Sequence, residues 1–174
     1  MAHWRQRVLA LVCIALAGCT GQRSQTVALS LPDPTQQYLC RASFVLGEPT
    51  RTFRLRTHYR GQDYLIPLGE ALTHQVKMRF WTDAVAAQSG RPQPVVAVGF
   101  DARTATRAGD PNNDTLRIAL QFQIFRPTGQ SYIDIQGGQS RQTAPEAAAA
   151  EALTQALDGV TDVLVTAGIC LAAP

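Results

Sequence analysis

The chain has 174 residues, 45% of them hydrophobic, with 16 Lys and Arg against 13 Asp and Glu. This length is typical of a single domain with an adequate core. Residues 1–18 contain Arg5, Arg7 and no acidic residue, so the rest of the chain holds 14 cations against 13 anions. Such a balance excludes a strongly basic protein that binds nucleic acid through its overall field.

Residues 1–18 have the pattern of a secretory signal peptide. Arg5 and Arg7 precede an apolar run at Val8–Ala17, and small residues follow. A basic start, an apolar stretch of about 7–15 residues and a small-residue cleavage site define such signals. The run is too short for a transmembrane helix, which needs about 20 apolar residues.

The tetrapeptide Leu16-Ala17-Gly18-Cys19 resembles a bacterial lipobox. The resemblance implies cleavage before Cys19, a diacylglyceryl thioether on its sulfur and an acyl chain on its new amino group. Several acyl chains anchor a protein durably to a bilayer. An ordinary cleaved signal with a chance cysteine is the alternative. By resemblance to sorting in enteric bacteria, Thr20 in place of Asp favours an outer-membrane anchor facing the periplasm.

After the signal peptide, we predict a lipidated cysteine with a flexible tether at 19–37 and a single domain at 38–174. The tether segment is mostly polar and contains Leu31-Pro32-Asp33-Pro34. Part of it could instead lie along the domain, because Tyr38–Cys40 must dock if Cys40 forms a disulfide.

The remaining cysteines form an even pair. Cys13 leaves with the signal peptide and Cys19 is lipidated, which leaves Cys40 and Cys170. In an oxidising compartment such a pair predicts a disulfide. Two buried thiols are the alternative.

The first half of the domain predicts strands followed by a helix. A strand is expected over residues 39–46, a turn at Gly47–Pro49 and a strand over the alternating Arg51–Arg60. Apolar residues then recur every four positions at Leu68, Leu72, Val76 and Phe80. This spacing predicts a helix over Pro67–Gln88.

The second half predicts three strands and a helix. Val95–Phe100 is a β-branched run, Leu116–Phe125 alternates cleanly, and Ser131–Ser140 returns after a turn at Arg126–Gln130, with Ile133 and Ile135 inward. A helix opens at Thr143–Glu146 and ends before Gly168. The order predicts a two-layer α+β domain, in which both long helices pack on one face of a mostly antiparallel sheet.

Residues that carry catalysis or bind metals are sparse. His58 and His74 stand outside any metal-binding spacing. Asp110, Asn112 and Asp114 match the start of a calcium loop, but Gly and Glu are absent from its sixth and twelfth places. Asp63 and Glu70 could be considered a catalytic carboxylate pair, but many other acidic pairs in the chain would qualify equally well. We therefore expect a protein that is not an enzyme and that has no metal or cofactor.

One predicted surface invites a binding function. The outward face of the alternating strand carries four basic residues, and neighbours on this face are about 6.6–6.8 Å apart. They are Arg54, Arg56, His58 and Arg60. This basic strand could bind an acidic glycan, an anionic lipid or an acidic partner. The alternative is a solvated face that discourages edge pairing.

The layout resembles small outer-membrane lipoproteins of the YajG type and accessory lipoproteins of envelope export machines. The matching features are the lipobox, the Leu68–Val85 helix, the Leu116–Ile135 hairpin and the Ala147–Ala167 helix. The resemblance implies a binding or scaffold role without a cofactor, with an envelope protein as partner. A ligand-binding lipoprotein that presents the basic strand to acidic glycan or lipid is the alternative function.

Overall fold

The structure, a computed structural model, describes residues 24–59, 62–82, 92–101, 115–142 and 144–173. Cys19, Arg60, the end of the predicted first helix and the Asp110–Asp114 segment lie outside the described residues. The described helices are α1 (Glu48–Arg51), α2 (Leu68–Arg79) and α3 (Pro145–Thr166). The strands are β1 (Gln25–Thr26), β2 (Tyr38–Cys40), β3 (Ser43–Val45), β4 (Leu55–Tyr59), β5 (Gln62–Ile66), β6 (Phe80–Thr82), β7 (Val95–Phe100), β8 (Leu116–Phe125), β9 (Ser131–Ser140) and β10 (Cys170–Ala172).

The described part of the chain has the predicted α+β content, but its strands form three small sheets rather than one. The orders are β3-β7-β8-β9, β10-β2-β6 and β1-β5-β4. Each sheet contains one parallel pair, namely β3–β7, β2–β6 and β1–β5, and is otherwise antiparallel. No described helix is long and apolar enough to cross a membrane.

Helix α3 covers one face of the four-stranded sheet. The apolar side chains of β8 that alternate along the strand are buried towards it, and α3 contacts both β8 and β9. The helix buries Leu153, Leu157, Val160 and Leu164 in the same core. It begins at Pro145 and ends at Thr166, after which Gly168 adopts the left-handed φ of 67° expected of its predicted capping role.

Strand β9 has the predicted bounds, but its side chains lie on the opposite faces of the sheet from those predicted. The register pairs Ile133 with Gln123 and Ile135 with Gln121, which lie on the outward side of β8. Residues directly opposite each other in an antiparallel pair share a face. Ile133 and Ile135 are therefore exposed rather than inward as predicted, and Tyr132 lies on the α3 side.

The predicted first helix ends nine residues early. Helix α2 stops at Arg79, and Phe80–Thr82 continue as β6, parallel to β2. Phe80 is buried as predicted, but it stacks on Phe44 with ring centroids 4.7 Å apart. All three residues of β6 are aromatic or β-branched, and such residues favour a strand. Residues 83–88 of the predicted helix lie outside the described residues.

The region around Glu48 also differs from its prediction. The expected turn at Gly47–Pro49 is a helical turn, α1, and the strand that follows begins only at Leu55. Helix α1 packs against α2 at Gly69, whose amide donates to the Phe53 carbonyl. A Cβ at Gly69 would overlap the Thr50 and Arg51 carbonyl oxygens, so the two helices meet backbone to backbone.

The predicted tether is shorter than 19–37. Gln25 and Thr26 form β1 beside β5, and Leu29 and Leu31 pack on the core. Further along, the Gln75 side chain donates to the Pro32 carbonyl at 2.9 Å. The segment from residue 25 to residue 37 therefore lies along the domain, which is the alternative that the sequence leaves open.

Cys40 and Cys170 are joined by a disulfide across the β2–β10 pair. Both are fully buried, and 130 positions separate them along the chain. The bond closes a loop that includes most of the domain, so it fastens the C-terminal strand to the start of the fold.

Candidate functional site

The basic strand lies at the edge of the three-stranded sheet that contains β1, β5 and β4. β4 is the last strand in the order β1-β5-β4. Arg54, Arg56 and His58 are exposed, as the alternation predicts, whereas Leu55 between them is buried. Arg60 lies outside the described residues.

Two of these three basic side chains face carboxylates. The register places Asp63 of β5 directly opposite His58, and the His58 Nδ1 to Asp63 Oδ1 distance is 2.8 Å. Arg54 Nη2 lies 4.0 Å from Glu70 Oε1 on α2. The expected ribbon of free positive charge is therefore partly neutralised, because exposed ion pairs cancel much of each other's field. Arg56 faces no carboxylate among the described residues.

The two carboxylates considered as a catalytic pair thus have separate partners. Asp63 pairs with His58, and Glu70 lies near Arg54. The other histidine, His74, has its Nε2 3.9 Å from Asp33 Oδ1. Both histidines are exposed, and neither lines the clefts described for this part of the chain. Within the described residues, no group of three metal-ligating side chains is assembled.

A cleft of about 650 Å³ lies between the β8–β9 turn and the end of α3. Its apolar lining includes Ile124 and Val163, and Arg126 and Asp162 supply opposite charges. The Tyr132 ring lines it, and its hydroxyl donates to Asp134 Oδ2 at 3.1 Å. This hydrogen bond, with some desolvation and the negative charge of Asp134, raises the pKa of the Tyr132 phenol. The cleft can hold a small amphipathic group, but its lining has no histidine or cysteine to act as base or nucleophile.

Within the described residues, a group of exposed apolar side chains lies on the outer face of the four-stranded sheet, which we call the open face. It is the side away from α3, and its exposed large apolar side chains are Val45, Phe125, Ile133 and Ile135. The register aligns Val45, Ala97, Gln123 and Ile133 in one row across all four strands. Among the described strand residues on this face, Arg117 at its far end is the single charged one.

Sequence analysis missed the open face because Ile133 and Ile135 were assigned to the core. β9 carries apolar residues at the consecutive positions Tyr132 and Ile133 and again at Ile135, so its own alternation is ambiguous. The register with β8 can be inferred from the turn, and it determines the face on which Ile133 lies. The turn at Arg126–Gln130 pairs Phe125 with Ser131, and counting back from that pair places Ile133 outward.

Comparisons with known proteins add two distant structural similarities. The chain matches no protein-family model, and no curated protein matches it. A DUF330 protein from Xanthomonas campestris is similar over 80% of this chain and 92% of its own, at 14% identity and a TM-score of 0.46. A candidate lipoprotein from Caulobacter crescentus CB15 is similar over 72% of this chain and 92% of its own, at 18% identity and a TM-score of 0.30.

Proposed function

We propose that this chain is a membrane-anchored periplasmic lipoprotein that acts as a non-enzymatic accessory or scaffold in an envelope assembly or transport complex. Acylated Cys19 anchors it to the outer membrane. The domain binds an envelope protein through the open face. Helix α3 covers one face of the four-stranded sheet. On the other face, the described residues leave Ile133 and Ile135 exposed for a partner.

The open face is the observation that carries the proposal. Val45, Phe125, Ile133 and Ile135 are exposed on regular strands, whose backbone is held by ladder hydrogen bonds. The centres of protein interfaces are depleted of charge and enriched in aromatic and apolar residues. Exposed apolar side chains that gather on one face of a small domain commonly mark an interaction site. A partner therefore meets a regular sheet surface whose described strand residues carry a single charge, that of Arg117 at the far end.

Replacing Ile133 and Ile135 together with Asp should lower partner recovery at least about tenfold, because burying two unpaired carboxylates in an apolar interface costs more than the about 1.4 kcal/mol that a tenfold change represents. The tagged full-length protein is crosslinked in cells, solubilised mildly and analysed by mass spectrometry. Val165→Asp is the matched control, because Val165 is also exposed but lies on α3. Equal loss of partners in both variants would point to general charge effects and contradict the assignment.

The same experiment tests the anchor. A Cys19→Ala version should stay unacylated and lose the discrete set of envelope proteins that wild type recovers. An unchanged set without Cys19 would remove the anchor from the proposal.

A second candidate function is binding of acidic glycan or lipid by the basic strand. Arg56 supports it, because its exposed side chain faces no described carboxylate. The pairing of His58 with Asp63 weakens it.

Replacement of Arg54, Arg56 and Arg60 with Gln separates the two functions. We expect this variant to keep its protein partners, because the open face is unchanged. Retention of the purified domain on phosphorylated glycolipid or acidic polysaccharide is measured beside it. Binding by wild type that the triple variant loses, with no protein partner captured by either, would favour the second function.

A further inference from the structure

The three-stranded sheet β10-β2-β6 carries a second exposed apolar feature. The register aligns Leu171, Leu39 and Trp81 side by side across the three strands. Their exposed fractions are 59%, 41% and 52%. These residues, which we call the apolar row, belong to a different sheet from the open face.

The apolar row is held rigidly from behind. The residues next to Leu39 and Leu171 in their strands, Cys40 and Cys170, are bonded to each other and fully buried. Phe80, which precedes Trp81, is buried against Phe44. The row therefore projects from a fixed surface, and little conformational entropy is lost when it is covered.

The length of chain before the domain limits how far this surface can be from a bilayer. Only four residues lie between Cys19 and Ser24, so the five steps from one to the other span at most about 18 Å when fully extended. The segment from residue 25 to residue 37 is fastened to the domain by β1 and by the Gln75–Pro32 hydrogen bond. Acylation at Cys19 would therefore keep the domain close to the lipid surface.

We propose that the apolar row contacts the lipid bilayer to which Cys19 anchors the protein, with Trp81 at the interface. This inference rests on the proposed anchor. Trp is favoured at the boundary between headgroups and acyl chains, because its ring is apolar and its indole N–H is polar. The exposed Arg41 directly follows β2 and supplies a cation for anionic headgroups.

A bilayer fits this feature better than a protein does. Three partly exposed side chains fall well short of the about 800 Å² per partner that a stable protein interface buries. A small contact is sufficient when acyl chains already hold the protein at the surface, because the second contact is then intramolecular. The contact fixes the orientation of the domain on the membrane.

The chain provides its own probe for this contact. Trp4 lies in the predicted signal peptide, which leaves Trp81 as the single tryptophan of residues 19–174. The acylated protein is reconstituted into vesicles of phosphatidylethanolamine and phosphatidylglycerol, with or without bromine on the acyl chains. Bromine quenches only a tryptophan that reaches the lipid. We expect Trp81 emission to shift to shorter wavelength on reconstitution and to be lost in brominated vesicles.

The matched control moves the indole to the open face. In the variant Trp81→Phe/Ile133→Trp, position 133 has nearly the same exposure, 53% for Ile133 against 52% for Trp81. We expect its emission to be equal in both kinds of vesicle. Quenching at position 133 but not at position 81, or at neither, would overturn the proposal.

Flotation of the vesicles distinguishes failure of this inference from failure of the proposed function. Protein that floats with the vesicles without quenching of Trp81 keeps its anchor but contradicts the contact. Protein that does not float contradicts the anchor, and with it the contact. A blue shift without quenching identifies burial against another protein molecule, and also contradicts contact with lipid.

Discussion

Replacing both Cys40 and Cys170 with Ala should lower the free energy of unfolding by about 4–5 kcal/mol, the value expected from loop-closure entropy for so long a loop. The bond joins residues 130 positions apart, so its removal frees most of the unfolded chain. Domains of this size have a total stability of about 5–15 kcal/mol. The variant should therefore approach the threshold of unfolding, as measured by denaturant titration.

Reduction of the wild-type protein is the control for the double alanine variant. Both should show the same loss of stability, because both remove the same cross-link. A thiol count under denaturing conditions should find neither Cys40 nor Cys170 free before reduction. Two free thiols, or a double variant as stable as wild type, would contradict the disulfide.

Gly138→Ala should destabilise the domain by about 3 kcal/mol, at the upper end of the range for overpacking. A Cβ at Gly138 would overlap the Ala152 carbonyl oxygen, and would lie 2.7 Å from the Ala152 carbonyl carbon and 2.9 Å from the Ala156 nitrogen. All three atoms are backbone of α3, which cannot move aside as a flexible side chain would. The helix must therefore shift away from β9 or the strand must bend.

Gly137→Ala is the matched control, one position along the same strand. Its nearest heavy atom would be the Ile118 carbonyl oxygen at 3.9 Å, which is an ordinary van der Waals distance. We expect a change in the free energy of unfolding within about 0.5 kcal/mol, as for most surface substitutions. Equal effects at the two glycines would mean that α3 does not approach β9 at Gly138.

The parts of the fold that local patterns predict are the long, regular ones. β8 and β9 have the predicted bounds, Leu116–Phe125 and Ser131–Ser140. Alternation over the ten residues of β8 leaves little freedom in the type of element, and the tight turn at Arg126–Gln130 predicts β9 as its partner strand. Gly129 adopts a φ of 84° in the turn between them, as the sequence of that turn favours.

The parts that could not be predicted depend on contacts between distant residues. β1, β6 and β10 have only two or three residues each, and each pairs with a strand far along the chain. No periodicity exists over so few positions. Phe80 is an example. It follows Leu72 and Val76 at intervals of four residues, which continues the helical pattern, but its pairing with β2 makes it part of a strand.

The candidate site was predictable in part. Alternation correctly exposes Arg54, Arg56 and His58, but the pairing of His58 with Asp63 requires β5, which the sequence analysis did not identify. The open face depends on the register of β9, and the apolar row depends on three short strands. Both surfaces therefore become visible only when the sheets are assembled.

Photo-crosslinking in cells is the most direct test of the proposal that acylated Cys19 holds the protein where its open face binds an envelope protein. A photoreactive amino acid replaces Ile133 in one strain and Val165 in another, each with and without Cys19→Ala. We predict a discrete adduct from position 133 that disappears without Cys19, and none from position 165. No adduct from position 133, or the same adducts from both positions, would contradict binding through the open face.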